Sequence, residues 1–217
     1  MAELLGDFIN YCVERREFEV LEMFHDAVVE QIHIPQWIRA MTRGRYYDSV
    51  AWRYRGSGLA NTVSAENWKR FEDFETKAAD FYRQAHEINP LFPEAATSLI
   101  QLTRTGYGDQ TEEYWFEKAI QGQVDYLPAY DSVLMGLLPQ WGGSFEKMIE
   151  FADRHASQSQ YDTAVPYCLV MCYLKIKDVA VGAKKDRLAI VNDPKFALKV
   201  VNALDGLSKN ETPKVIN

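Results

Sequence analysis

The chain has no apolar run near the roughly 18 residues needed to cross a bilayer, so no membrane-spanning helix is expected. With 8 prolines and 12 glycines among 217 residues, it is too poor in both for a collagen-like fibre or a Pro/Gly-rich disordered chain. Sustained alternation of apolar and polar residues is also missing, which argues against strands. Its three cysteines, Cys12, Cys168 and Cys172, are an odd number, and the last two are spaced by four rather than as Cys-x-x-Cys. Reduced, packed thiols are therefore expected and no metal site, because thiolate sites recruit four ligands at tighter spacings. The first residues, MAELLGD, carry an early acid and no basic stretch ahead of an apolar one. That lacks the anatomy of a secretory signal and predicts a cytoplasmic location.

Familiar catalytic strings are incomplete. Gly56-Ser57-Gly58 is followed by Leu59-Ala60-Asn61 and misses the third glycine of a dinucleotide loop. His86-Glu87 begins a zinc-protease pattern, but Pro90 stands where the second histidine belongs. There is no phosphate-loop Gly-Lys-Ser and no Gly-x-Ser-x-Gly elbow. His25, His33 and His155 have no ligand spacing around them, and Glu72, Asp73, Glu75, Glu112 and Glu113 are expected to be solvated or to stabilise helix dipoles. No enzyme, cofactor or metal is expected, although an enzyme of unrecognised type stays as an alternative.

What is present is a composition able to bury a core: 47% hydrophobic and 13% aromatic residues. The periodicity is helical. Phe18, Leu21, Phe24, Val28 and Ile32 recur at three and four, on one face of a helix that Glu14 to Phe18 separate from a first helix over 2–13. Residues 33–63 are expected to be an irregular Arg/aromatic insert, with a short helix over 37–42. Ser64 is the expected N-cap of a long helix ending near Asn89-Pro90. Later starts are marked by Pro93, by Thr111 before two glutamates, by Pro128, by Ser144 behind Gly142-Gly143, and by Pro194 behind Asp193. The predicted layout is one helical-repeat domain over 1–207: a hairpin (1–32), the insert, about three degenerate repeats (64–176), a C-terminal helix (177–207), and a frayed tail (208–217).

A step of 33 or 34 residues carries Ala85 to Ala119 and Ala152, Ala96 to Tyr130 and Ala164, and Ile100 to Leu134 and Cys168. At Ala78, Tyr82, Ala85 and Pro90 the chain resembles the second helix of the tetratricopeptide repeat, matching all four positions of that pattern. Later copies depart from it, with Glu112 for the first Ala and Val124 for the Pro, while Phe116, Ala119, Ile149 and Ala152 fit. The fold class this implies is all-α, a tetratricopeptide-like array of antiparallel hairpins (an α-solenoid). Leu138-Pro139-Gln140-Trp141-Gly142-Gly143-Ser144, with Trp52, Arg55-Gly56-Ser57-Gly58 and Tyr114-Trp115-Phe116, also resembles a bacterial helical-repeat family known as a domain of unknown function. In that family the position of Gln140 is usually basic. In the turn itself, Pro139 should stop a helix, Trp141 should plug the gap between hairpins, and Ser144 should cap the next helix.

The tetratricopeptide resemblance implies a protein-binding groove lined by Glu94, Thr97, Gln101 and Arg104, then by Asp131 and Met135. Residues 91–150 hold nine acids against three bases, so a basic protein or peptide is the expected partner, with a bacterial immunity or adaptor role as one form of it. The formal charge of -7 is uneven: residues 1–30 carry -6, 31–60 carry +4, 61–150 carry -8 and 151–217 carry +3. The basic stretch places Arg43, Arg45 and Arg53 among Trp37, Tyr46, Tyr47, Trp52 and Tyr54, a mixture able to stack bases and hold phosphates. An RNA- or DNA-binding accessory role through 37–55 is therefore the alternative. Those arginines could equally serve the acidic first hairpin or cap helix ends.

Overall fold

The computed structural model describes residues 2–158, 161–181, 190 and 192–209. Among these, every long element is a helix and none is a strand. The helices are α1 (Ala2–Glu14), α2 (Phe18–Glu30), α3 (Gln36–Arg55), α4 (Ala65–Ile88), α5 (Pro93–Arg104), α6 (Glu112–Gly122), α7 (Leu127–Gly136), α8 (Phe145–Gln158), α9 (Cys168–Val181) and α10 (Pro194–Ser208). The all-α class is as expected. The chain divides into two compact units, Met1–Gly122 and Gln123–Asn217, where the sequence predicts one domain.

The predicted starts hold. Ser64, Thr111, Ser144 and Asp193 each accept a backbone N–H of the first helical turn, from Asn67, Tyr114, Lys147 and Lys195 respectively. Pro93 opens α5, and Pro128 lies in the first turn of α7. Stops follow backbone chemistry as well: Gly56 (φ 65°) ends α3, and Gly106 (φ 93°) ends α5 with Gly106 and Tyr107 N–H bonded back to Thr103 and Leu102.

Two boundaries differ from expectation. Residues 36–55, expected to be largely irregular, form the 20-residue helix α3. Its buried face is built from Trp37, Ala40, Met41, Thr42, Gly44 and Ala51, several of them small or polar, so hydrophobic periodicity hardly registers it. Close approach explains the small residues: a Cβ on Gly44 would fall 2.6 Å from the Tyr82 ring of α4. Residues 177–207 are not one helix either, since α9 runs to Val181 and α10 starts afresh behind the Asp193 cap. From residue 210 onward the expected tail lies outside the described residues.

In the first unit α3 packs on α1, α2 and α4, and α5 packs on α4 and α6. The unit's buried residues include Phe71, Ala78, Tyr82 and Ala85 of α4, Ala95, Ala96, Leu99 and Ile100 of α5, and Trp115, Phe116 and Ala119 of α6. In the second unit α9 is the centre, touching α7, α8 and α10. Its Cys168, Cys172 and Ile176 are fully buried, as are Met148 and Ala152 of α8 and Leu134 of α7. Each fully buried large aliphatic side chain contributes about 1.5–3 kcal/mol. Cys12, Cys168 and Cys172 are free thiols, and burial raises the pKa of all three, so they behave as packing groups rather than nucleophiles.

Candidate functional site

The residues assigned to a binding groove occupy α5 in the first unit and α7 in the second. Helix α5 begins on Pro93, which puts Glu94 in the first turn and Thr97 and Gln101 on successive turns. The Thr97 hydroxyl donates back to the Pro93 carbonyl at 2.9 Å, and Glu94 is half-buried with Oε2 shielded from solvent. Arg104 turns inward, its Nη2 donating to Glu112 Oε2 of α6 at 3.0 Å. Of the four, Gln101 alone is exposed. On α7, Asp131 pairs with Lys175 of α9 at 2.9 Å, and Met135 is half-buried.

Acidity counted along 91–150 is thus partly consumed within the fold. Glu112 and Asp131 hold cations, Asp109 lies 3.7 Å from Arg83, and Asp125 Oδ2 accepts the Ala164 N–H at 3.1 Å. Glu113, Glu117, Glu146 and Glu150 remain exposed. Glu146 is held below the usual carboxylate range by the N–H of its own backbone and by Ser144 at the start of α8.

The Arg/aromatic stretch is organised by protein contacts. Trp37 is buried, its ring edge-on to Phe92 at 4.8 Å. Arg43 lies over Phe81 at 5.3 Å and Arg53 over Phe18 at 4.4 Å, while the Arg45 guanidinium rests against Gly6 of α1. Between α3 and α4 the rings form a ladder: Tyr54 stacks on Phe74, and Tyr47 on Phe74 and Phe81, with Lys77 and Arg70 over the rings. From the other side His25 of α2 stacks on Tyr46 at 4.2 Å. These rings and cations join α2, α3 and α4.

The 139–144 turn is partly as expected. Gly142 has φ 86°, and a Cβ on Gly143 would meet the Leu137 carbonyl oxygen at 2.0 Å, so both glycines are required by geometry. Trp141 does not plug a gap: it is 44% exposed at the end of a single 3-10 turn that carries it outward.

Sequence reasoning missed a buried carboxyl pair. Glu75, expected to be solvated, has 0% exposure on the face of α4 that also carries Phe71, Ala78 and Tyr82. It lies beside Asp48 of α3, a carboxyl that burial pushes up to about 6 against the opposing charge of Arg45. Burial is the main cause that pushes Glu75 up to about 9, with the Asp48 charge second. A signal existed: Glu75 is four after Phe71 and three before Ala78, inside the apolar stripe.

Among the described residues no three His, Cys, Asp or Glu side chains are grouped to hold a metal, and no helix is long and apolar enough to cross a membrane. Burial lowers the pKa of His86 and His155, each of which sits edge-on or tilted to aromatic rings. Comparison with protein-family models, curated proteins and solved structures found no match.

Proposed function

We propose that the chain is a protein-binding scaffold of tetratricopeptide-like helical hairpins that engages a basic protein or peptide. The observation that carries this reading is burial at the repeat step: Ala85, Ala119 and Ala152, then Ile100, Leu134 and Cys168, all have 0% exposure. Residues that recur every 33 or 34 positions are those that close helix on helix, as repeat architectures require. The exposed Glu113, Glu117, Glu146 and Glu150 favour a basic partner by long-range attraction. A bacterial cytoplasmic adaptor, or an immunity protein that neutralises a basic toxin, is the form this function would take.

Affinity purification from the native cell, followed by identification of what is captured, tests the reading. Glu117→Lys and Glu150→Lys each reverse one exposed charge while leaving the helices intact. Capture should fall several-fold with either variant and weaken with added salt, as expected for charge-steered association. Equal capture by both variants would place binding elsewhere on the chain, and salt-insensitive capture would reject a basic partner.

A further inference from the structure

We propose that Asp48 and Glu75 form a proton-dependent latch at the seam of α3, α4 and α5, closed by one shared proton and loosened as that proton is lost. The geometry is independent of partner binding. Glu75 is fully buried, Asp48 Oδ1 and Glu75 Oε1 are both out of contact with solvent, and no hydroxyl or N–H reaches either atom. Thr105, at the end of α5, has its hydroxyl 3.0 Å from the Leu102 carbonyl and only 3.4 Å from Glu75 Oε2, so its hydrogen favours Leu102. Two acceptor-only groups in contact repel. The same two groups attract when one keeps its proton and donates it to the other, as in any carboxyl pair confined to one site.

The surroundings decide which member keeps the proton. Burial pushes both carboxyls up, Asp48 to about 6 and Glu75 to about 9: from α3 the Arg45 charge favours ionised Asp48, and no cation among the described residues counters the burial of Glu75. From α4, Tyr82 is the titratable neighbour; Tyr107, just beyond α5, faces both Glu72 and Glu75. Glu75 is therefore the neutral, donating member. Its folded-state pKa lies above the ordinary carboxylate value, so over that interval the folded chain holds a proton that the unfolded chain has released. The stabilisation is complete below the ordinary carboxylate range and is lost as pH rises toward about 9. The depressed His86 and His155 act in the opposite sense, and only up to their ordinary range, which leaves the interval above pH 7 to the latch.

Urea unfolding of the wild type and Glu75→Gln between pH 7 and 9 tests the latch, because glutamine keeps the shape and the donor without a proton to lose. The wild-type folding constant should fall by about tenfold per pH unit, the limit for one extra bound proton, while Glu75→Gln stays nearly flat. The buried thiols titrate in both proteins and drop out of the comparison. Nitrogen-15 NMR of the wild type adds a local readout: the Trp52 indole signal should move over the same pH range, since its ring meets Phe71, one turn before Glu75, at 5.4 Å. A wild-type stability that is level or rises, an equal slope in Glu75→Gln, or a stationary Trp52 signal would overturn the proposal. Should Glu75→Gln fail to fold, the Trp52 titration of the wild type decides alone.

Discussion

Gly142 and Gly143 are adjacent glycines required for different reasons, and substituting each separates the two. At Gly142 a Cβ would meet nothing within 4 Å, so the only obstacle is φ 86°, the left-handed region that disfavours L side chains. Gly142→Ala should therefore cost about 1–2 kcal/mol, and Gly142→Asn less. At Gly143 the obstacle is backbone: a Cβ would stand 2.0 Å from the Leu137 oxygen and 2.4 Å from its carbonyl carbon, against 3.4 Å for an ordinary contact. No rotamer relieves that contact, so the two chain segments must part. Leu138, 2% exposed, anchors one of them, and the Gly143 and Trp141 N–H groups both bond its carbonyl, at 3.3 and 2.9 Å. Overpacking of about 1–3 kcal/mol plus about 1 kcal/mol for a lost hydrogen bond puts Gly143→Ala at about 2–4 kcal/mol. Urea unfolding followed by circular dichroism should rank the midpoints wild type, Gly142→Asn, Gly142→Ala, Gly143→Ala in descending order. Hydrogen exchange should localise the last change to the first turn of α8, where Lys147 N–H bonds Ser144. If Gly143→Ala is as stable as Gly142→Ala, the close approach inferred here is wrong.

Two further variants test how α3 is held. Gly44→Ala improves helix propensity by about 1 kcal/mol, yet its Cβ would press on the buried Tyr82 ring, so thermal unfolding should show a net loss of about 1–2 kcal/mol; a gain would mean the ring can retreat. Replacing Arg43, Arg45 and Arg53 by Glu removes two cation–π contacts and the charge facing Asp48, which should lower the urea midpoint by the equivalent of about 2 kcal/mol. Gel-shift titration with single-stranded RNA at low salt should show no binding by the wild type, and salt-sensitive binding abolished in the triple variant would restore the nucleic-acid alternative.

Helix starts were legible because they are local chemistry. Ser64, Thr111, Ser144 and Asp193 each satisfy a donor within three residues of themselves, so no tertiary partner is needed to recognise them. Some buried positions were legible for a related reason: close packing of helices demands small or apolar residues, and Ala85, Ala119 and Ala152 are all buried. Helix α3 hid because its buried face is cut to fit α4, with glycine at Tyr82 and an acid at Glu75, and complementarity of that kind resides in the pair of helices.

The same distinction explains why charge misled where caps did not. A cap acts on its own backbone, whereas the meaning of a carboxylate depends on what faces it across helices distant in sequence. Asp131 meets Lys175, Glu112 meets Arg104, Asp125 meets a backbone N–H and Glu75 meets another acid. Counting along the chain offers Asp131, Glu112 and Asp125 to a basic partner and leaves Glu75 solvated or stabilising a helix dipole. Placed in the fold, three are neutralised by a donor and the fourth keeps a proton, so only acids such as Glu113, Glu117, Glu146 and Glu150 can present charge to a partner. Partner affinity and fold stability should accordingly respond to different acids: reversing Glu117 should alter capture with little change in the urea midpoint, and replacing Glu75 should do the reverse.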